Sequence, residues 1–419
     1  MSVNSWVEVK LKEMCERITV GHVGSMAGEY QESGIPFLRS LNITPFRLSF
    51  DNLKFIDENF HQKLKKSALR PGDVAVVRTG YPGTACVVPE SLPKSNCSDL
   101  VIVRPGKNLN PYFLAAIFNS TFGKDLVGGN LVGAAQQHFN ITVAKELKLR
   151  FPPKPVQDKI AAVLSTYDDL IENNRRRIEL LEQMAEELYR EWFVRFRFPG
   201  WQQAVFEKGI PKVWELGSLG CIASFVMGQS PSSEFYNETG NGHPFHQGVG
   251  TYGHRFPKKI TYCSVPGRMA RERDILFSVR APVGRLNIAD VDLIIGRGIA
   301  AVRHKKDLNS YLFYLLKSYF ADEDIIGNGS IFNSVSKNEL SRFPILIPDI
   351  DLVEQFNAFA RNIDTQIAAL LGAIEKLADV RRQLLTRLIS GKLPVDQLDI
   401  QFPPSMREAA EAGQEVAHA

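Results

Sequence analysis

The stretch "DLIENNRRRIELLEQ", residues 169–183, decides the fold. It is a highly charged helical segment near the middle of a chain whose flanks look like ordinary globular domains. From Pro155 onward, apolar residues recur at steps of four and three, which predicts a heptad seam. At 1.5 Å per residue, residues 155–195 would extend roughly 60 Å, too long for a typical domain helix. The seam positions are Ile160, Leu164, Tyr167, Ile171, Asn174, Ile178, Leu181, Ala185, Leu188 and Trp192.

A second segment near the end of the chain has the same spacing at every seam position. Its positions are Phe356, Ala360, Ile363, Ile367, Leu370, Ile374, Leu377, Arg381, Leu384 and Leu388. Either segment alone could be an amphipathic core helix, but the pair favours a coiled coil. The first helix carries the chain away before a second globule begins, so only a returning helix can cover the seam. The sequence therefore predicts an antiparallel pair.

The charged residues of the opening stretch flank the seam and alternate in sign, as expected of a solvated helix face with i,i+4 pairs. A phosphate-binding role for Arg175 to Arg177 is the alternative interpretation. Asn174, the polar residue of its seam, could fix the register or could mark a local gap.

The repetition extends beyond the helices. "RPGDVAVVRTGYPG" (70–83) aligns with "RERDILFSVRAPVG" (271–284), and "HFNITVAKEL" (138–147) aligns with "IFNSVSKNEL" (331–340). A proline-bearing stop, "RFPPKP" or "RFPILIP", precedes each long helix and would end the preceding element. The order globule, helix, globule, helix predicts an internal repeat with a pseudo-two-fold axis and one globule at each end of a rod.

The runs "DVAVVRTG", "LVIVRP" and "DILFSVRAP" are typical of short strands between Gly and Pro turns, whereas "NPYFLAAIFNS" and "NSYLFYLLKSYF" are typical of helices. We therefore predict an α+β fold with a mixed sheet in each of two globular domains, separated by the antiparallel coiled coil. The predicted boundaries are 1–153 for the first globule, 154–198 for the first helix, 199–348 for the second globule, 349–393 for the second helix and 394–419 for a flexible tail.

Composition excludes several classes of protein. The chain has 419 residues, of which 44% are hydrophobic and 23% charged, and a net charge of +4. These values fit a soluble protein with two or three cores but do not by themselves indicate a nucleic-acid binder. Five scattered cysteines without CxxC or Cys/His spacing indicate neither a disulfide scaffold nor a zinc site. With no signal pattern and no apolar run of about 18 residues, we expect a cytoplasmic location and no membrane.

No catalytic motif is visible: the sequence lacks a phosphate loop, HExxH and the [DNS]PP[YFW] tetrapeptide of adenine methylases. Asp168 and Asp169 lie on the helix, where a capping or docking role is favoured over acid–base chemistry. A nuclease centred on Asp73 is a weak alternative, because Asp73 and Asp274 recur before a strand and fit a turn better. We predict no catalytic residue and no metal ligand in this chain.

The doubled strand motifs, the turn "GQSPSSEFYN" (228–237), the "FN…KEL" segments and the paired helices together resemble the DNA specificity subunit of type I restriction-modification systems. The likeness covers nearly the whole chain, from about Trp6 to Leu393. The helix starting at Pro155 resembles the central conserved region of that family, and the helix starting near Asp351 resembles its distal one.

The resemblance implies that each globule is a target recognition domain reading one half of a bipartite, asymmetric sequence in double-stranded DNA, with the coiled coil setting the spacer. It implies docking of two adenine methyltransferase subunits and, in the larger complex, translocase/nuclease subunits. S-adenosylmethionine, ATP and Mg would then be bound by those partners, and this chain would hold no cofactor. The alternatives are a rod-like protein scaffold without DNA affinity and a single-chain nuclease.

Base reading needs Arg, Lys, Asn or Gln side chains, and phosphates need cations, hydroxyls or free backbone amides. Each candidate could equally be a surface or turn residue. In the first globule the candidates are Arg39, Ser40, Asn42, Arg78, Thr79, Tyr81, Gln136, Gln137 and His138. In the second they are Gln229, Ser230, Gln247, Tyr252, Arg255, Arg280, Asn328, Ser330 and Asn333.

Overall fold

The structure is a computed structural model that describes residues 6–26, 28–131, 138–320 and 334–406. The chain divides into two compact units. Unit 1 comprises residues 1–175 with 371–419, and unit 2 comprises residues 176–370. Each of the two long helices therefore contributes one part to each unit.

Unit 1 contains short strands and helices in the order typical of an α+β domain. The strands are β1 (Val7–Lys10), β2 (Cys15–Val20), β3 (Ile35–Leu38), β4 (Ile43–Thr44), β5 (Arg47–Leu48), β6 (Lys54–Ile56), β7 (Ala68–Leu69), β8 (Val74–Val77), β9 (Ala85–Val87), β10 (Ser95–Cys97), β11 (Leu100–Pro105) and β12 (Lys148–Phe151). The helices are α1 (Glu58–Lys63), α2 (Pro111–Asn119), α3 (Thr121–Gly128), α4 (Ile141–Glu146) and the first part of α5 (Lys154–Tyr189).

The centre of unit 1 is an antiparallel sheet in the order β2-β11-β8-β9. Its residues alternate between two cores, as the two-residue period of a strand requires. Val74 and Val76 face a core shared with the helices, whereas Ala75 and Val77 face a second sheet in the order β6-β3-β10-β7. Because β10 pairs with β3 in parallel and with β7 in antiparallel fashion, this second sheet is mixed, as predicted.

Unit 2 repeats this order of elements, which confirms the internal repeat. Its strands are β13 (Phe206–Glu207), β14 (Ile210–Pro211), β15 (Glu215–Ser218), β16 (Ala223–Met227), β17 (Tyr236–Asn237), β18 (His243–His246), β19 (Tyr262–Cys263), β20 (Met269–Ala270), β21 (Ile275–Ser278), β22 (Leu286–Ile288), β23 (Leu293–Ile295), β24 (Ile299–His304) and β25 (Pro344–Ile347). Its helices are α6 (Leu219–Ile222), α7 (Asn309–Phe320), α8 (Lys337–Arg342) and the first part of α9 (Ile350–Ile389).

The sheets of unit 2 correspond to those of unit 1. The order β16-β24-β21-β22 matches β2-β11-β8-β9, and β15 pairs with β25 as β1 pairs with β12. The second sheet has the order β17-β19-β18-β23-β20 and is again mixed, since β18 and β23 are parallel.

The two long helices begin within one residue of the predicted positions 154 and 349, and each ends before its predicted last residue, 198 or 393. Helix α5 has 36 residues and follows the prolines at 152 and 153, and a π-helical turn, Arg190–Val194, extends it. Helix α9 has 40 residues; Asp349 accepts a hydrogen bond of 2.9 Å from the amide of Asp351, and Gly391 lies just beyond its end with φ of 72°. All twenty seam positions are buried or half-buried, including Asn174.

Within each unit the helix segments are antiparallel. In unit 1, Arg381 pairs with Asp168, and further along α9 Leu388 joins the core that holds Ile160. In unit 2, the ring of Phe356 contacts that of Trp192, with 6.0 Å between ring centroids, while Asp364 and Glu182 share one arginine. In both cases ascending positions on one helix meet descending positions on the other.

Part of the segment expected to be a flexible tail is packed against unit 1. Val395 is 2% exposed and joins the main core, and the ammonium group of Lys159 donates to the carbonyl groups of Asp396 and Leu398 at 2.7 and 2.8 Å. The prediction was wrong for residues 394–406, because apolar residues within this polar segment cover the start of α5. Residues 407–419 lie outside the described residues.

Candidate nucleic-acid interface

The antiparallel order of the central sheet brings four loops of unit 1 together. Val20 pairs with Val101, and Leu100 pairs with Val77, so the end of β2, the start of β11 and the end of β8 meet at one edge. The loop after β3 reaches the same edge, since the amide of Ser98 donates to the carbonyl of Leu38 at 3.0 Å. Loops at one edge of a rigid sheet are the usual location of binding residues.

Asp99 is the centre of this loop cluster in unit 1. Its carboxylate accepts hydrogen bonds from the hydroxyls of Ser40 and Thr79, the former at 3.4 Å, and lies 3.9 Å from the guanidinium of Arg78. The structure thus brings together Ser40, Arg78 and Thr79, three of the predicted DNA-binding residues, around a carboxylate. Hydroxyl and guanidinium groups are of the kind that bind phosphates and base edges, and here they surround Asp99.

The other described candidates of unit 1 border this cluster. Arg39 donates to the carbonyl of Asn52 at 2.5 Å, and Tyr81, at the turn between β8 and β9, is 84% exposed. His138 is half-buried, and among the described residues its Nδ1 atom has no hydrogen-bond partner. Tyr81 therefore offers the most accessible ring for contact with a ligand.

Unit 2 has the corresponding loops at the corresponding edge. Met227 pairs with Ala300 and Ser278 pairs with Ile299, so β16, β24 and β21 meet there. The loops enclose a cleft of about 480 Å³, whose polar lining includes Ser230, Gln247 and Arg297. The hydroxyl of Ser230 donates to the amide oxygen of Gln247 at 2.8 Å.

Glycines allow the loops of this cleft to approach closely. A Cβ atom on Gly228 would lie 2.1 Å from the carbonyl oxygen of Gly296, and one on Gly296 would lie 2.7 Å from the side-chain oxygen of Gln247. Gln229 and Arg280 are exposed beside the cleft. The structure thus brings Gln229, Ser230, Gln247 and Arg280 to one edge of unit 2.

Two predicted DNA-binding residues, Asn42 and Arg255, are buried, and a third, Tyr252, is half-buried with its hydroxyl bonded to the backbone; for these we correct the prediction. Asn42 is 0% exposed, and its side chain accepts from the amide of Arg39 and donates to the carbonyls of Ser49 and Asp51. Tyr252 is half-buried and donates to the carbonyl of Leu276 at 3.0 Å. Arg255 is 2% exposed and bound to acidic residues of the long helices. Their polar groups stabilise the protein interior instead of facing a ligand.

Five further candidates lie outside the described residues: Gln136, Gln137, Asn328, Ser330 and Asn333. For them the DNA-binding role stays a prediction. It also stays a prediction for the residues at the two sheet edges.

Sequence reasoning missed Asp99 and Arg297. Each lies in the short turn before a buried strand, and the apolar run that follows predicts the strand but not a role for the turn residue. Asp99 has φ of 54°, a left-handed conformation that Asp tolerates in turns. The sequence signal that could have identified both residues is a polar side chain between two runs that predict strands.

Asp73 and Asp274 have structural roles. Arg104 donates two hydrogen bonds of 2.8 Å to Asp73, and Arg303 donates two of 2.6 Å to Asp274. Both carboxylates are 1% exposed. The turn interpretation therefore replaces the nuclease interpretation of Asp73. Within the described ranges, no group of three or more His, Cys, Asp or Glu side chains is arranged to hold a metal ion.

Two histidines of unit 2 have shifted pKa values. Burial lowers the pKa of His246, which adjoins the cleft, to about 4, so its imidazole is neutral near pH 7. The hydrogen bond of 3.1 Å to Glu182 raises the pKa of His254. Burial opposes ionisation of Glu182, but the bond from His254 and the charges of Arg255 and Lys317 outweigh it, so the pKa of Glu182 is lowered.

The structure is thus a duplicated α+β unit, with polar loops gathered at one sheet edge of each copy and two long helices divided between the copies. The family model described as the type I restriction modification DNA specificity domain matches residues 4–183 and again residues 211–388. The chain belongs to this family, and its role in DNA recognition follows from that membership. The expected resemblance is confirmed.

Similar proteins agree with this assignment. The putative type I restriction enzyme MjaX specificity subunit of Methanocaldococcus jannaschii is 29% identical over 406 residues, which cover 93% of this chain and 94% of that protein. The MjaIX specificity subunit of the same organism is 27% identical over 67% of each chain. A type I restriction-modification S subunit from M. genitalium shares the fold, with a TM-score of 0.59 at 15% identity over 91% of this chain and 96% of that one.

None of the helices in the described ranges is long and apolar enough to cross a membrane.

Proposed function

We propose that the two loop clusters each read one half of a bipartite DNA target and that the paired helices set the unread spacer between the halves. The observation that carries the proposal is the convergence of hydrogen-bonding side chains from four loops at the same sheet edge in both units. Two repeated recognition units joined by the same helix pair match a DNA site that has two separated halves. The chain would act without chemistry of its own.

The two clusters differ in chemistry, which supports an asymmetric target. In unit 1 the donors Arg78, Ser40 and Thr79 surround a carboxylate, whereas in unit 2 the amide Gln247 stands beside Ser230 and Arg297. An amide side chain suits the paired donor and acceptor of adenine, and arginine suits the acceptors of guanine. Clusters built from different groups would prefer different bases.

The helix pair has exposed apolar residues that support partner docking. In unit 1, Leu170 is 45% exposed; in unit 2, Leu180 and Met184, one helical turn apart, are 59% and 55% exposed. We propose that such faces dock two adenine methyltransferase subunits, and that translocase/nuclease subunits join the larger complex. Those partners would bind S-adenosylmethionine, ATP and Mg, and the complex would work in the cytoplasm.

Genome-wide mapping of adenine methylation tests the proposal. Cells that express this chain with its neighbouring methyltransferase would be compared with cells that lack only this chain. We expect methylation at one bipartite, asymmetric motif to disappear in the second strain. If the methylation pattern is unchanged although the methyltransferase is active, a rod-like scaffold without DNA affinity becomes the favoured interpretation.

A further inference from the structure

In unit 1, a hairpin joins the reading cluster to the helix pair. Strands β4 and β5 follow directly after Ser40 and Asn42, and Phe46 and Arg47 lie at the hairpin tip. The guanidinium of Arg381 lies 3.3 Å from the ring centre of Phe46 and donates a hydrogen bond of 2.9 Å to Asp168. Phe46 of the hairpin tip therefore stacks on Arg381 of α9, which is in turn bonded to Asp168 of α5.

A second contact fixes the same hairpin tip. The guanidinium of Arg47 lies 3.0 Å from the carboxylate of Glu172, one helical turn beyond Asp168 on α5. The base of the hairpin is held by Asn42, whose amide donates to the carbonyls of Ser49 and Asp51. The segment from the reader Ser40 to the helix contact at Arg47 is thus tied at both ends.

In unit 2, the corresponding loop makes the corresponding contacts. It begins at Gln247 in the cleft, closes through the bridge between Tyr252 and Pro257, and carries His254 and Arg255 at its tip. Arg255 pairs with Asp364 and lies 3.6 Å from Glu182, while its guanidinium lies 3.9 Å from the ring centre of Phe313. Its carbonyl accepts from the amide of Ile288 at 2.9 Å, which ties the tip to the central sheet.

The two arrangements are equivalent, although their parts come from different elements. The segments 36–47 and 244–255 align without a gap, so Arg47 corresponds to Arg255. Asp168 and Asp364 occupy matching positions on the two helices. Asp168 is bound by Arg381 of α9, and the ring that stacks on this arginine, Phe46, comes from the hairpin. Asp364 is bound by Arg255 of the unit 2 loop, and the ring that stacks on this arginine, Phe313, comes from α7.

We propose that Arg47 with Phe46, and Arg255 with His254, are positioning residues that fix the orientation of each reading cluster on the helix pair. The inference rests on the proposed function, and it predicts which property of recognition these residues control. Because the contacts that these residues make are with the long helices, their loss should leave the preference for bases intact. Loss of these residues should weaken the discrimination against DNA targets whose two half-sites are separated by the wrong number of base pairs.

The test uses the complete complex with its methyltransferase. Methylation rates would be measured on duplexes with the native spacer and with a spacer longer or shorter by one base pair, and on duplexes with one altered half-site base. The exposed ion pair provides the first variant, Arg47→Glu, with the double exchange Arg47→Glu/Glu172→Arg as rescue. Arg382→Glu, the same charge change at an exposed α9 residue whose ion pair is with Asp379, is the control.

We expect Arg47→Glu to reduce the ratio of native-spacer to altered-spacer rates by about two- to fivefold, the effect of losing an exposed ion pair. The double exchange should restore the ratio, and Arg382→Glu should not change it. Arg255→Lys should reduce the ratio further, because lysine cannot stack flat on Phe313 while donating to Asp364 and staying close to Glu182. Discrimination against the altered half-site base should equal that of the wild type in every variant.

Wild-type spacer ratios in both Arg47→Glu and Arg255→Lys would overturn the positioning role. Loss of base discrimination together with spacer discrimination would also overturn it, since that result marks general disruption of the unit. A wild-type complex without site-specific methylation would instead overturn the proposed function on which the inference rests.

Discussion

Arg303 and Asp274 form a two-pronged ion pair inside unit 2, with both hydrogen bonds at 2.6 Å and the carboxylate 1% exposed. Arg104 and Asp73 form the same pair in unit 1. Each carboxylate also accepts a backbone amide, from Arg271 or Arg70, so it closes the turn before the central strand. The same strand entry is therefore stabilised in the same way in both units.

Replacing the carboxylate should destabilise its unit. We expect Asp274→Asn to cost about 3 kcal/mol in the free energy of unfolding, because it leaves the partly buried guanidinium of Arg303 without its charge partner. Urea unfolding would measure the change. Asp379→Asn, which breaks an exposed pair with Arg382, is the control and should have a much smaller effect. Equal effects of the two substitutions would contradict the structural role of Asp274.

Gln247 should control recognition of one half-site. We expect Gln247→Ala to lower discrimination at one base pair of that half by about 5- to 150-fold, corresponding to the ~1–3 kcal/mol of a paired contact with a base edge. Methylation of duplexes with single base changes would measure it. Recognition of the other half-site should not change, and Gln203→Ala, at an exposed glutamine away from the cleft, should match the wild type. A uniform loss of methylation at all sequences would argue against base reading by Gln247.

The two glycines Gly228 and Gly372 should respond to alanine in opposite ways. A Cβ at Gly228 would lie 2.1 Å from a carbonyl oxygen, so we expect Gly228→Ala to destabilise unit 2 by about 1–3 kcal/mol and to distort the cleft. Gly372 lies inside α9 with open space around it, and Gly372→Ala should stabilise the protein by about 0.5–1 kcal/mol. Thermal unfolding of both variants checks the signs, and destabilisation by Gly372→Ala would contradict the placement of that residue.

The pair of His254 and Glu182 should make the stability of unit 2 depend on pH. The pKa of His254 is raised above its ordinary 6.5, so its stabilising contribution is complete below pH 6.5 and is lost as the pH rises through the raised pKa. Glu182, whose pKa is lowered, stays ionised throughout this range. We expect His254→Gln to reduce the free energy of unfolding more at pH 6 than at pH 8.5, by less than about 1 kcal/mol because the imidazole is half-exposed. An equal reduction at both pH values would show that the charge of His254 does not matter.

The periodic parts of the chain were predictable from sequence. Ten matched seam positions on each helix predicted the pairing, and the proline-bearing stops predicted where the long helices begin. Such signals are local and repeated, so they survive without knowledge of the tertiary structure. The strand motif that ends at Arg78 was equally predictable from sequence, because it occurs in both halves of the chain.

The roles of single polar residues were less predictable. Arg255 and Asn42 have the side chains of a DNA reader, yet both are buried: Arg255 is bound by Asp364, 109 residues further along the chain, and Asn42 by the carbonyls of Ser49 and Asp51 in the next turn. The buried tail residue Val395 was missed because the core that it joins is formed largely by residues of the first half of the chain, such as Ile160 and Leu164. Burial of an isolated side chain depends on contacts that no local pattern encodes.

The division of each long helix between two units has a consequence for synthesis on the ribosome. Unit 2 is one continuous stretch, residues 176–370, whereas unit 1 needs residues from both ends of the chain. The main core of unit 1 lacks Leu385, Leu388 and Ile389 until α9 has been made. The half that is translated first is therefore the half that finishes folding last, and its uncovered helix face must avoid aggregation while the rest of the polypeptide emerges.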